Sequence, residues 1–484
     1  VSLVRPRQLA PGRAELRELL ALGLPVVTVQ VGMMFMGVVD TLMVGRVSAI
    51  DLAAVALGNL YFFAVTVVGM GTLFSLDPVV GQAVGAGDEE GVARGVQRGL
   101  FLVGGLTFLS VACVLPAEPL LVLLRQPPEV IPAAVGYVRA AAPGILPFYA
   151  YIVFRQTLQA MGRVAPIVWT VLLANVANAG FNWVLVFGHL GAPPLGAVGA
   201  GAASSLSRAL MALGVLVAAW PSLRPYLFPF RRGVFASGPL TRMLRLGLPI
   251  GIHFGLEFGA FAVTGLLMGW FGPVAMASHQ VAINLAALTF MVPLGISQAT
   301  TVLVGRSVGR DDPVGARRAA GAGLLVGIGF MTATAAIFLS LPAGLARLYT
   351  PDPAVLALAA LLIPIAGVFQ IFDGTQVVAS AVLRGTGDTR VPMLLGIVGF
   401  WVVGFPVSLW IGFGLGVGAV GLWWGLVAGL GAVALLLLVR VAHRLGGELR
   451  RLELDEAPVG SVLQGSAGTS GPGRFDSGRR DEHG

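Results

Sequence analysis

Long apolar runs alternate with short polar connections over most of the chain. Twelve stretches qualify as candidate membrane spans: residues 19–45, 52–80, 92–115, 130–153, 166–187, 195–219, 243–269, 275–304, 316–341, 355–378, 392–413 and 417–441. Each has about the 20 mostly apolar residues that a helix needs to cross a bilayer. The pattern predicts an all-α polytopic membrane protein with twelve transmembrane helices. After Leu445 the chain turns polar, and residues 461–484, rich in Gly and Ser, read as a disordered tail.

The apolar pattern repeats. LGLP at Leu22–Pro25 recurs at Leu246–Pro249, an offset of 224 that also carries Gly45 onto Gly269 and Gly81, Gly85 and Asp88 onto Gly305, Gly309 and Asp312. Leu158 and Gly162 recur as Leu383 and Gly387 at an offset of 225, and Gly196–Gly199 as Gly418–Gly421 at 222. Six spans is an even number, so both copies enter from the same side. Such parallel repeats are related by an axis along the membrane normal. The expected organisation is an N-terminal segment (1–18), a first six-helix bundle (19–220), a linker (221–241), a second bundle (242–442) and a largely disordered tail (443–484). Two like bundles with a cleft between them suit alternating access.

Composition agrees. The 484 residues are 56% hydrophobic and only 11% charged, against about 25% charged in soluble domains. The net charge is +8. The arginines nevertheless sit between spans, which is topology rather than a nucleic-acid footprint. One side takes Arg5, Arg7, Arg13, Arg17, Arg94, Arg98, Arg155, Arg163, Arg224, Arg231, Arg232, Arg306, Arg310, Arg317, Arg318, Arg384, Arg390, Arg440 and Arg444. The other side holds little beyond Arg46, Arg125 and Arg347. The positive-inside rule then places both termini in the cytoplasm. The single cysteine, Cys113, leaves no disulfide framework. The first span is too long for a signal-peptide core and is expected to be retained.

Four carboxylates fall inside spans: Asp40, Asp77, Glu257 and Asp373. An ionisable group at such depth is expensive and normally faces a wet cavity or a partner. The four do not follow the repeat, since Asp40 maps to Thr264 and Glu257 to Met33. Glu257 and Asp373 have no basic residue in the same or neighbouring turns. They are candidates to hold a proton, a sodium ion or a cationic substrate. Asn178 and Asn182 are four apart on one helix face, and beside Asp40 they suit a hard cation or a shared proton. Interhelical hydrogen bonding is the competing reading. Asp77 precedes Pro78 and suits the satisfaction of backbone groups freed by the proline.

His253 and Glu257 have a metal-ligand spacing without a third ligand, so no structural metal and no cofactor is expected. Gln280 and Asn284, also four apart, are candidate cavity-lining residues. Met33, Phe254 and Phe290 supply soft and aromatic surface for a polyspecific pocket. Gly416, Gly418 and Gly421 match a dinucleotide fingerprint, but they follow no soluble strand and read as a tight turn with close helix packing.

MGVVDTLMVGR, PVVGQAVGAGD, NWVLVFGHLGAPPLGAVGAG, SHQVAINL, PLGISQATTVLVGRSVG and FQIFDGTQVVASAVLRGTGDT occur in this order. Over residues 16–444 the chain resembles the multidrug and toxic compound extrusion (MATE) transporters, NorM branch. The resemblance implies two six-helix lobes forming a V around a central cleft, in a bacterial inner membrane. It implies efflux of cationic lipophilic drugs in exchange for Na+ or H+. The family's first-helix aspartate falls on Asp40, its fifth-helix asparagines on Asn178 and Asn182, its seventh-helix glutamate on Glu257 and its tenth-helix aspartate on Asp373. Asp77 departs from many bacterial relatives and leaves room for an extra cation site.

A lipid-linked precursor flippase is the nearest rival, disfavoured because the intramembrane charges found here are acidic. An intramembrane enzyme lacks its motifs, and a channel fits two repeats less well than a carrier. No nucleic-acid partner is expected, and a monomer is the default. In a Cys113→Ser background, a cysteine replacing Ser466 should be protected from a membrane-impermeant maleimide in intact cells. One replacing Ala192 should react. The reverse pattern overturns the orientation.

Overall fold

The computed structural model describes residue 4 and residues 6–455. The expected disordered tail at 461–484 lies outside them. The described chain is helical without strands. Among the described residues, twelve helices have the length and apolarity to span a membrane: α1 (Arg13–Val44), α2 (Ala49–Gly85), α3 (Glu89–Val114), α4 (Ile131–Ala160), α5 (Ala165–Leu185), α6 (Gly196–Ala218), α7 (Ser237–Trp270), α8 (Pro273–Gly309), α9 (Pro313–Ser340), α10 (Pro353–Gly385), α11 (Arg390–Gly414) and α12 (Ala419–Gly446). Residues up to Leu452 form one compact unit. Glu453 onward forms another, of which Glu453–Asp455 are described.

Local chemistry sets the helix ends. Asp88 accepts a bond from Gly91 N (2.7 Å) at the start of α3, and its repeat equivalent Asp312 accepts one from Gly315 N (2.8 Å) before α9. These are N-caps that satisfy otherwise orphaned donors. Pro273, Pro313 and Pro353 open their helices, where the missing N–H costs nothing. Two spans are broken: α2 at Phe74–Ser75, just before Pro78, and α4 around Pro143. Helix α11 is wound as a π-helix over Ile397–Gly404 and Trp410–Gly414. Gly416 and Gly418 have φ of 69° and 71°, and Gly421 packs directly on Gly412. The fingerprint-like glycines thus make a turn and a close helix contact.

Within the first six spans, α1 packs on α5, α2 on α4, and α6 on both α4 and α5; within the last six, α10 packs on α8, α9 and α12. The halves meet where α1 lies on α8, and where α2 lies on α7 and α8. Glycines set that approach. A Cβ on Gly251 would sit 2.2 Å from Val68 O, one on Gly247 2.2 Å from Thr72 O, and one on Gly309 2.0 Å from Gln82 O. These contacts lie toward the arginine-rich end. Nearer the other end, Gly37 of α1 and Gly269 of α7 face open space.

Both terminal segments cross over at the arginine-rich end. Val4 N donates to Ala442 O (3.1 Å), and Glu15 pairs with Arg318 (3.3 Å). After α12, Leu452 N donates to Gln82 Oε1 (2.7 Å) and Arg451 pairs with Asp88. The first part of the expected tail is therefore a packed strap. Burial opposes ionisation of Asp88, but the Gly91 N–H and the Arg451 guanidinium outweigh it and hold its carboxyl below the usual carboxylate range. A group depressed in this way stabilises fully above its unfolded pKa, about 3.9, and the contribution is lost as pH falls through the lower folded value. The linker is also structured. It carries the helix Trp220–Leu227, and Gln97 Nε2 donates to Tyr226 O (3.0 Å) and Pro229 O (3.0 Å).

One expectation is corrected. Arg98, Arg155 and Arg384, counted above as connecting arginines, lie inside α3, α4 and α10 and are buried. Helices α4 and α10 run well past their apolar windows, and internal partners hold the side chains. Arg98 Nη2 donates to Gly233 O (3.3 Å), and Arg155 Nη1 to Gln30 Oε1 (3.1 Å).

Gly251→Val should cost about 1–3 kcal/mol through overpacking between α2 and α7, read as a lower melting temperature in detergent. Gly269→Ala, entering open space, should leave melting unchanged. Equal melting for both variants would overturn this packing account.

Candidate functional site

In the second half, Glu257 projects from the middle of α7 and Asp373 from α10. One turn beyond Asp373, Gln376 donates from Nε2 to Glu257 Oε1 at 2.7 Å. Asp373 is 5% exposed, and its Oδ1 accepts no hydrogen bond from the described residues. Its charge interacts with that of Glu257, and both neighbour the Gln376 amide. Glu257 is half-buried. No ion pair to either carboxylate is seen among the described residues. The two helices thus bring a carboxylate held by one neutral amide, Glu257, near a second, Asp373, whose Oδ1 is unpartnered among the described residues. Gln376 was not singled out in the sequence, although its i, i+3 spacing from Asp373 places it on the same helix face.

In the first half, Asp40 (α1) is 2% exposed. Asn182 Nδ2 donates to its Oδ1 (2.6 Å), and Ser204 Oγ to its Oδ2 (2.8 Å). Asn182 Nδ2 also reaches Asn178 O (3.0 Å), and both asparagines are fully buried. The expected grouping of Asp40, Asn178 and Asn182 is therefore present. The third wall, α6, was missed. It supplies Ser204 and, one turn on, Arg208, a guanidinium within electrostatic reach of Asp40. The Arg208 guanidinium lies 3.9 Å from the ring centre of Phe62, a cation–π contact. An arginine inside the apolar run 195–219 was itself the signal. Asn175, one turn before Asn178, donates to Gly32 O (2.9 Å), a packing contact of α5 on α1.

The other candidates divide. Gln280 and Asn284 lie exposed on one face of α8, whereas Phe290 is half-buried. Met33 is half-buried and accepts from Arg155 Nη1 through its sulfur (3.6 Å). Phe254 packs edge-on against Phe74 (5.6 Å between centroids), where α7 meets α2.

Asp77 corrects two expectations. It is fully buried, so it does not line an open cavity. Its carboxylate accepts no backbone hydrogen bond and instead pairs with Arg384 of α10, Nε to Oδ2 3.9 Å. The broken helix satisfies its own donor there, through Asp77 N to Phe74 O (3.1 Å). Arg155, Arg208 and Arg384 also show that the charges inside the spans are not purely acidic.

A family model described as MatE matches residues 25–184 and again 249–410, two copies that start 224 residues apart, the offset of the internal repeat. The chain is 38% identical over 430 residues to the "Probable multidrug resistance protein NorM" of Rhizobium meliloti (strain 1021), covering 87% of this chain and 92% of that protein. It is 37% identical over 469 residues to "Multidrug resistance protein PmpM" of Pseudomonas aeruginosa, covering 93% and 97%. The fold matches the crystal structure of the eukaryotic MATE transporter AtDTX14 with a TM-score of 0.81 at 20% identity, covering 89% of this chain and 98% of that one. With two family matches spanning both halves and relatives aligned along most of its length, the chain belongs to the MatE family, a family of membrane transporters and not of enzymes.

Proposed function

We propose that this protein is a secondary antiporter that exports cationic lipophilic compounds in exchange for Na+ or H+. It works by alternating access, with six-helix lobes divided near residues 220–242 and both termini in the cytoplasm of a bacterial cell. The names of the relatives support the multidrug reading, and their bacterial origin supports an inner-membrane location.

One observation carries the exchange chemistry: Glu257 accepts from the Gln376 amide, Asp373 Oδ1 accepts no hydrogen bond, and neither carboxylate is paired with an arginine among the described residues. A carboxylate pair in apolar surroundings needs a positive charge, and here an exchangeable cation must supply it. Asp40 is the contrasting case. Both its oxygens already accept hydrogen bonds, and Arg208 lies within electrostatic reach. This favours Glu257 and Asp373 as the coupling site and leaves Asp40 with Asn178 and Asn182 to shape the first-half wall. Gln280 and Asn284, exposed on α8, and the half-buried Phe290 suit the drug pathway.

The membrane potential adds about 2.3 kcal/mol per charge per 100 mV. If one net charge moves per cycle, that sustains roughly a 50-fold drug gradient.

In liposomes, ethidium transport should follow an imposed sodium gradient or an imposed proton gradient, and the active gradient names the ion. Transport driven by neither overturns the antiport reading. Glu257→Gln and Asp373→Asn should each reduce driven transport to the level of protein-free liposomes while leaving elution and melting unchanged. Normal transport by both variants moves the coupling site elsewhere.

A further inference from the structure

Three features of the Asp77–Arg384 pair set it apart from the other buried charges. First, it bridges the halves: Asp77 lies on α2 and Arg384 on α10. Second, it is buried and poorly satisfied. Asp77 is fully buried, and neither its oxygens nor Arg384 Nε makes a hydrogen bond among the described residues. Third, it sits where the halves touch. Arg384 Nη2 donates to Thr301 of α8 (3.4 Å), and its guanidinium lies 5.9 Å from the Phe254 ring centre, beside the α2–α7 contact. A few residues further on, toward the end of α2, Gln82 donates to Gly385 O (3.0 Å). Arg155 is a second guanidinium within electrostatic reach of Asp77.

We propose that Asp77 and Arg384 form a latch between the two halves that holds the arginine-rich end shut. The proposal rests on the alternating-access reading above. A buried pair whose carboxylate accepts no hydrogen bond gains little net stability, because desolvation offsets the attraction. It is therefore nearly balanced between two states: paired and buried while the halves are closed, or separated and hydrated when water enters between them. Such a pair fits a contact that must break and re-form every cycle. The asymmetry under the repeat fits as well, since a latch needs opposite charges on opposite halves.

The balance predicts opposite signs for two kinds of variant. Asp77→Asn strands the Arg384 guanidinium in a buried interface, and hydration on opening relieves it. The double replacement Asp77→Leu with Arg384→Met removes both charges. Apolar replacement of a buried pair is often neutral or stabilising, so this variant should fold. It should also favour the closed state, because opening would wet apolar side chains.

The test uses the full chain in a Cys113→Ser background, with spin labels on cysteines replacing the exposed Ala86 and Val314 at the arginine-rich end of each half. Distance distributions are measured without drug or gradient. Asp77→Asn should raise the ratio of long to short distances about tenfold relative to the parent, a two-state population shift. Asp77→Glu should keep the parent distribution. The double apolar variant should show short distances only and slower ethidium transport. Should Asp77→Asn not fold, the double variant decides alone. Unchanged distributions, or longer distances in the double variant, overturn the latch. If the distances shift as expected while ethidium is not transported by any variant, the latch stands and the multidrug reading falls.

Discussion

A charge inside a bilayer must find a partner or water, and the polar interior of this protein is organised by that demand. The four carboxylates meet it differently. Asp40 is met by Asn182 and Ser204, with Arg208 in reach. Asp77 is met by Arg384 across the boundary between the halves. Glu257 is met by the Gln376 amide, and Asp373 Oδ1 accepts no hydrogen bond among the described residues. This contrast, more than depth in the membrane, separates a site built to exchange a cation from sites built to hold an arrangement.

Backbone contact at one end of the bundle sets the stage for these differences. Where α2 meets α7 and α8, glycines let main chains touch, and even one methyl group would collide with a carbonyl. Without water to drive apolar surfaces together, helices in lipid rely on such close packing. The crossing terminal segments and the Gln82 bonds add polar ties at the same end. At the other end the corresponding helices have open space beside their glycines.

The two halves have diverged in chemistry while keeping their frame. Asp88 and Asp312 cap equivalent helices with equivalent bonds. Yet α5 is a regular helix carrying Asn178 and Asn182, whereas its counterpart α11 is partly π-helical, with glycines pressed against α12. The frame repeats because capping and span length are local properties. The sites differ because each depends on which side chains separate helices contribute.

The same division separates what was legible in the sequence from what was not. The twelve spans, their order and the 224-residue repeat could all be read from it, because span length and helix capping depend on residues near one another in the chain. The isolated acids stood out for the same reason: a carboxylate in an apolar run is conspicuous without any neighbour. What the sequence left open was the partner of each acid. Ser204 and Arg208 lie far along the chain from Asp40, and Arg384 far from Asp77, so only the packing of helices joined them. Arg155 and Arg384 read as connecting arginines because hydropathy ends a span where polar side chains begin. Tertiary structure carried those helices further and buried their arginines, since a partner on another helix supplies what water would otherwise give.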